Sequence, residues 1–201
     1  GYDFFKVMRE KLGEKKVIAE DLGFLTEDVH KLLADTGYPG MKVLEFAFGA
    51  WDDSIYLPHK YEENCIVYTG THDNDTAAGW YEDLSEADRD FLEHYLDHST
   101  IERTGKINLD LISLALESCG DTVIIPLQDY LGLGSEARIN TPSTVGDNWE
   151  WRVKEEQLDE ELKETILTLT KKYRAKAEER AEKERKEREQ KKLEEEEKAA
   201  E

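Results

Sequence analysis

The chain has 201 residues, 38% of them hydrophobic, and carries a formal charge of −20 from 47 acids against 27 bases. That is enough apolar material for one core with an appendage, and it excludes a wholly disordered protein. Residues 174–201 hold 11 acids and 10 bases, so the globular part keeps 36 and 17, a charge of −19; such a field repels phosphate backbones and anionic lipid, which excludes nucleic acid and membrane surfaces as partners but does not oppose a neutral or cationic ligand.

Cys65 and Cys119 stand far apart with no CxxC or Cys/His spacing. They read as buried apolar filler in a reducing, cytoplasmic compartment, and they argue against a zinc site or a disulfide framework. The sequence has no run of about 18 apolar residues and no leader pattern, so neither a membrane span nor a signal peptide is expected. Gly1 is not an initiator methionine, and the chain reads as a piece of something longer.

In chain order, Asp3, Phe4, Phe5, Val7, Met8 and Leu12 have helical spacing, and Gly13 is placed to end that helix. Val17-Ile18-Ala19 is a short apolar run expected to be the first strand, leading into Glu20 and Asp21. Thr26 can cap a helix that presents Val29, Leu32 and Leu33 and stops at Gly37. Met41 to Phe48 is apolar enough for a central parallel strand. A long aromatic loop follows, from Gly49 through Trp51 to Tyr61. Cys65 to Tyr68 is the third strand, and it breaks off into Thr69-Gly-Thr-His-Asp-Asn-Asp-Thr76, which sets an imidazole and two carboxylates within four positions. Ser85 with Asp88 marks the start of a helix with Phe91, Leu92, Tyr95 and Leu96 inside. Another helix runs through Leu109, Ile112 and Leu116 towards Gly120, and Thr122 to Leu127 is the fourth strand, ending in Gln128 and Asp129.

Four βα-type units with polar residues after each strand predict an α/β fold, either a doubly wound sheet or a parallel barrel. A closed barrel needs eight strands and about 250 residues, so the barrel alternative makes this chain its carboxyl-terminal half. Leu158, Leu162, Ile166, Leu169 and Tyr173 form a last helical stripe able to dock on the domain, residues 1–173. Residues 174–201 are almost pure Glu, Lys, Arg and Ala, with acid-before-base pairs such as Glu182/Lys186 and Glu184/Arg188. Lacking an apolar seam, they read as a solvated helix or a disordered tail.

Glu20, Asp73 and Asp129 are the carboxylates at strand ends. Glycoside chemistry needs one carboxylic acid to protonate a leaving oxygen and another to stabilise an oxocarbenium-like centre. The same acids are equally suited to capping helices, and spacing alone leaves both readings open. His94 and His98 are four apart on a helix but lack a third ligand, so they read as surface histidines. Asp73-Asn74-Asp75 lacks the glycine and terminal glutamate of a calcium loop. Gly132-x-Gly134-x-x-Ala137 matches a dinucleotide fingerprint weakly, since Pro142 follows where a helix should continue. Phe46, Trp51, Tyr56, Tyr61, Trp80, Asn140, Trp149 and Trp151 suit sugar stacking and hydroxyl recognition, and suit core packing as well.

Ile18-Ala-Glu-Asp-Leu-Gly23, Leu57-Pro-His59, Tyr68-Thr-Gly-Thr-His-Asp-Asn-Asp-Thr76 and Gln128-Asp-Tyr-Leu-Gly through Asn148-Trp-Glu-Trp-Arg152 together resemble the 4-alpha-glucanotransferases, or amylomaltases. The resemblance covers residues 1 to about 173 and leaves out the charged tail. It implies a (β/α)8 barrel acting on α-1,4-glucans or maltooligosaccharides through a covalent glucosyl-enzyme, with no metal or organic cofactor. It also implies Glu20 as general acid/base, Asp73 as the carboxylate that stabilises the transition state, His72 as a sugar hydrogen-bonding group, and Phe46 and Asn140 as substrate contacts. The family's nucleophilic aspartate lies in an Arg-x-Asp-His block that these residues do not contain. The expectation is therefore a chain inactive alone that partners the amino-terminal half of the same barrel. At Glu45 and at Gly49–Asp53 the text is less amide-rich than the resemblance leads one to expect. A hydrolase of the same clan and a non-catalytic carbohydrate-binding or scaffold module are the alternatives.

Overall fold

Short apolar runs bounded by polar turns make a small parallel sheet here. The computed structural model describes residues 1–49 and 54–200, with side chains as far as residue 190. Trp51 and its neighbours at 50–53, expected in the aromatic loop, lie outside the described residues. The chain forms two compact units, Gly1–Val153 and Lys154–Glu201.

In the first unit the element order is α1 (Tyr2–Leu12), α2 (Glu27–Thr36), β1 (Gly40–Val43), β2 (Cys65–Tyr68), α3 (Ala77–Asp83), α4 (Glu86–Asp97), α5 (Ile107–Glu117), β3 (Thr122–Ile124) and α6 (Leu127–Leu131). The strands lie in the order β1-β2-β3, all parallel. Gly40 pairs with Cys65 and Ile66 with Thr122, which brings all three carboxyl ends to one edge. Val43, Val67, Leu44, Phe48, Leu92, Leu96, Leu111 and Ile112 are buried almost completely. The rings of Trp80, Phe91 and Tyr95 close on Phe48 at 5.4–6.4 Å between centroids, the range in which tilted and edge-on aromatic pairs are favourable.

The described residues contain three strands where four were expected. Val17-Ile18-Ala19 is extended but not a strand. Ala19 N donates to Pro39 O at 2.9 Å, but the next step of a ladder is intercepted, because the Asp21 carboxylate accepts the Met41 N–H at 2.6 Å. The second expected strand is also shorter. It ends at Val43 and turns into a 3-10 helix at Leu44–Phe46, closed by Ala47 N to Leu44 O at 2.9 Å. Leu44, Ala47 and Phe48 are buried in this turn as completely as they would be in a strand, so the apolar run alone cannot distinguish the two.

Helix ends follow the chemistry expected of them. Gly37 takes the left-handed conformation (φ 67°) at the end of α2, where a side chain would be strained. Ser85 Oγ accepts the Asp88 N–H at the start of α4, and Thr76 Oγ1 accepts the Gly79 N–H at the start of α3. Thr26 precedes α2 without bonding it through its side chain. The α1 helix forms as spaced, but Phe4, Val7 and Leu12 on it stay exposed.

In the second unit, Asp159 Oδ1 accepts the Leu162 N–H and α7 runs from Glu160 to Ala200. The highly charged segment is helical, with Lys186–Glu182 at 2.7 Å and Arg174–Glu178 at 3.3 Å among its i,i+4 pairs. Each such exposed pair stabilises a helix by about 0.3–0.5 kcal/mol. Among the described residues no helix is long and apolar enough to cross a membrane.

Candidate active site

The carboxyl edge of a parallel sheet is where loops converge, and here they enclose a cleft of about 420 Å³. Its walls include Glu20, His72, Asn74, Asp75, Asp129 and Arg138, with Ile18, Met41, Tyr68 and Ile139 supplying apolar surface. The mixture of convergent polar groups and apolar lining is that of a small-molecule site.

The turn after β2 presents the chemistry. Asn74 Oδ1 accepts both the Thr71 N–H (3.0 Å) and the Thr71 hydroxyl (2.7 Å), and Asp73 N–H reaches Thr71 Oγ1 at 3.3 Å. This closed turn leaves the side chains of His72 and Asp73 exposed, with His72 Nε2 3.3 Å from Asp73 Oδ1. Asn140 Nδ2 donates to the same Asp73 oxygen at 2.6 Å, so Asp73 is a held acceptor and caps no helix. Arg138 ties the two segments together by donating to Asp73 O at 2.7 Å and Asn140 O at 2.9 Å.

Trp149 packs beside His72 on this turn. Its ring lies 5.2 Å from the His72 ring, and its backbone is in the left-handed region (φ 66°), uncommon for a bulky side chain and costing about 1–3 kcal/mol. Trp149 N donates to Ile139 O at 2.7 Å, and Asn148 Oδ1 accepts the Thr141 N–H, which together close the loop that delivers it.

Behind the turn sits a layer of buried acids. Asp129, 1% exposed, accepts the Thr69 hydroxyl at 2.5 Å on one oxygen and the Ala77 N–H at 2.8 Å on the other. For Asp129 the capping reading therefore describes what it does, although the helix it caps is α3 and not its own. Burial pushes its carboxyl up, against the pull of those two hydrogen bonds. Asp75 Oδ1 accepts the Thr76 N–H at 2.7 Å, and its other oxygen lies 3.9 Å from Arg138 Nη1. Glu45, 7% exposed, is pushed up to about 9 by burial and by the nearby charges of Asp129 and Asp75.

Of the five residues singled out from sequence, the structure joins Asp73, His72 and Asn140 in one contact group, of which His72 lines the cleft together with Glu20 while Asp73 and Asn140 are not among its lining residues. Phe46 is not among the cleft's lining residues; it stands 41% exposed, edge-on to Tyr56 at 5.4 Å. Arg138 and Trp149 belong to the quoted sequence blocks, but their contacts could not be read from spacing. His94 and His98 stack at 4.1 Å, and His98 Nδ1 bonds His94 O at 2.8 Å. Among the described residues no group of three or more His, Cys, Asp or Glu side chains is arranged to hold a metal ion. The dinucleotide-like run forms a 3-10 turn at Ser135–Ala137 in place of a phosphate-binding helix start.

The 4-alpha-glucanotransferase family model matches residues 1–159. The 4-alpha-glucanotransferase of Clostridium butyricum is 44% identical over 169 residues, 84% of this chain and 34% of that protein. The chloroplastic/amyloplastic 4-alpha-glucanotransferase of Arabidopsis thaliana is 46% identical over 153 residues, 76% of this chain and 26% of that one. A solved structure of amylomaltase from Streptococcus agalactiae in complex with acarbose superposes with a TM-score of 0.79 at 38% identity, covering 86% of this chain and 34% of that chain. The chain thus spans about a third of the length of the relatives it matches.

Proposed function

The chain belongs to the 4-alpha-glucanotransferase family, and from that premise we propose that its cleft is one wall of the site at which an α-1,4-glucan is cut and passed to the 4-hydroxyl of an acceptor sugar. Asp73 carries the reading: its carboxylate is exposed yet fixed by Asn140 and flanked by His72, which itself lines the cleft. A fixed negative charge costs no reorganisation when positive charge develops at an anomeric carbon, which is the condition for electrostatic stabilisation. In this reading Glu20 protonates the departing glycosidic oxygen and later takes a proton from the incoming hydroxyl. His72 hydrogen-bonds the sugar bound over Asp73, and Asn140 and Phe46 contact other parts of the chain.

A retaining double displacement requires a second carboxylate about 5 Å from the acid. The Arg-x-Asp-His block expected to supply it is not among these 201 residues. Residues 1–173 are accordingly proposed as the carboxyl-terminal half of a (β/α)8 barrel, without turnover alone, with 174–201 as a charged extension. Two features favour the half-barrel. A parallel sheet is ordinarily covered on both faces, yet Ile124 of β3 is 40% exposed, and β3 pairs only with β2 among the described residues. Among the described residues Cys65 and Cys119 form no disulfide, which accords with a reducing compartment such as the cytoplasm.

A graft tests the reading. The isolated chain is expected to leave maltotriose unchanged. Residues 1–159, exchanged into the matching third of the Clostridium butyricum enzyme, are expected to yield glucose with maltotetraose and longer chains. Asp73→Asn and Glu20→Gln in the graft each lower that activity by about a thousandfold or more. A folded graft, verified by its circular dichroism, that yields glucose and maltose but no chain longer than maltotriose makes the chain a hydrolase component; one that binds maltooligosaccharides without turnover makes it a binding module.

A further inference from the structure

Glu45 is a buried titratable group beside the cleft for which the roles above leave no use. It follows β1 directly, and its backbone N–H is bonded to Thr69 O at 3.1 Å, so its side chain lies beneath the turn that leaves β2. One carboxyl oxygen, Oε1, is buried with no hydrogen-bond partner among the described residues. The Asn74 side chain and the carboxyl both stand against Gly70, while Asn74 Oδ1 grips the amide and hydroxyl of Thr71. A continuous path therefore runs from Glu45 through Asn74 to both ends of the segment holding His72 and Asp73. The fit is close, because a methyl group on Gly70 would collide with Glu45 Oε1, so the carboxyl fills the space a side chain at 70 would take.

We propose that Glu45 is a positioning residue whose carboxyl is the strut that sets the height of the Gly70–Asn74 turn and so the placement of His72 and Asp73 at the cleft. The glucan-related consequence rests on the proposed function above; the strut itself does not. The charged groups facing it are Asp129 on α6, Asp75 ahead of α3, and the Arg138 guanidinium. Arg138 alone cannot balance three carboxylates, so the cluster tolerates Glu45 only in its uncharged form. Its carboxyl is held up to about 9 from an ordinary 4.5, first by burial and then by the two aspartates. The sign follows: a raised value in the folded state means the contribution of Glu45 to stability is complete below about 4.5 and is lost as pH rises through about 9. Ionisation there sets like charges against each other under the turn and pushes it out of place.

The test uses the 201-residue chain, following the backbone amide NMR signals of Thr71, His72, Asp73 and Asn74 between about pH 6 and about pH 10. In the wild type these four are expected to move together with one midpoint near 9, the value of Glu45. Glu45→Gln, which keeps the side chain's shape and cannot ionise, abolishes that transition and raises the melting temperature at neutral and alkaline pH. Gly70→Ala, which displaces the carboxyl from the other side, shifts the same amides at every pH. Acarbose affinity is expected to fall about tenfold across the transition in the wild type and to stay level in Glu45→Gln. A transition that survives in Glu45→Gln, or its absence in the wild type, overturns the strut. The transition without acarbose binding at any pH leaves the strut standing and counts against the glucan reading.

Discussion

Two buried acids in the same unit are handled in opposite ways. Asp110, in the first turn of α5 and wholly buried, is met by Arg103 Nε at 2.8 Å and by the amide and hydroxyl of Thr104, each at 2.7 Å. Arg103 spreads its other nitrogens over Glu93 and Asp97, both at 2.7 Å, and these hydrogen bonds hold the guanidinium firmly charged. Glu45 has one carboxyl oxygen without a hydrogen-bond partner among the described residues and is kept neutral by burial and by the nearby aspartates. The first arrangement is closed, with donors assigned to both carboxylate oxygens, and joins two helices and a loop. The second lies under the cleft and leaves capacity unspent, as sites do when environment is used to set protonation. The difference separates an acid that holds the scaffold from acids that serve the site, which their sequence neighbourhoods do not.

Breaking the closed arrangement gives the largest effect. Arg103→Met leaves Asp110 charged and buried without its guanidinium, at a cost of about 3–5 kcal/mol in urea unfolding of the chain. A loss near that of an exposed ion pair, under about 1 kcal/mol, would put Asp110 in the same class as the surface pairs of α7.

Thr69→Val moves Asp129 towards the condition of Glu45 by deleting the 2.5 Å hydroxyl bond while keeping side-chain shape. It is expected to cost about 1.5–3 kcal/mol, the range for a hydrogen bond to a charged group. Asp129 is already pushed up by burial, and that bond opposes the push, so its loss raises the carboxyl further. Stability should then be lost over a wider span of pH above the ordinary carboxylate range than in the wild type, since a raised folded-state value means stability lost as pH rises towards it. Melting curves at several pH values read this directly.

The smallest effect is that of Thr76→Ala, which removes the hydroxyl cap of α3 and should cost about 1 kcal/mol with no change in pH dependence. Its value is as a control beside Thr69→Val, because both loosen the start of α3 and only one touches an acid.

Much of the scaffold was legible because periodicity and caps agreed. Cys65–Tyr68, the Ser85 cap and the apolar face of α4 all form where spacing puts them. The expected strand at Val17–Ala19 fails through one side chain, Asp21, which takes a backbone donor that periodicity treats as free. Helix α3 has seven residues, Ala77-Ala-Gly-Trp-Tyr-Glu-Asp83, too few to show a 3.6-residue period, and only Thr76 announces it. At the site, His72 and Asp73 were visible as chemistry dropped at a strand end, and Asn140 through its sequence block. The roles of Glu45 and Arg138 were not, because their meaning lies in proximity across segments 93 residues apart. The strained Trp149 against His72 was equally hidden, since a left-handed tryptophan has no sequence signature.

The central claim is that the group of Asp73, His72 and Asn140, with Glu20 in the adjoining cleft, recognises an α-glucan. Isothermal titration of acarbose into the 201-residue chain tests it most directly, with Asp73→Ala beside the wild type. Saturable binding that is lost in Asp73→Ala while the melting temperature is unchanged is the result predicted. Binding that persists undiminished in Asp73→Ala, or no heat of binding by a folded wild-type chain, would contradict it.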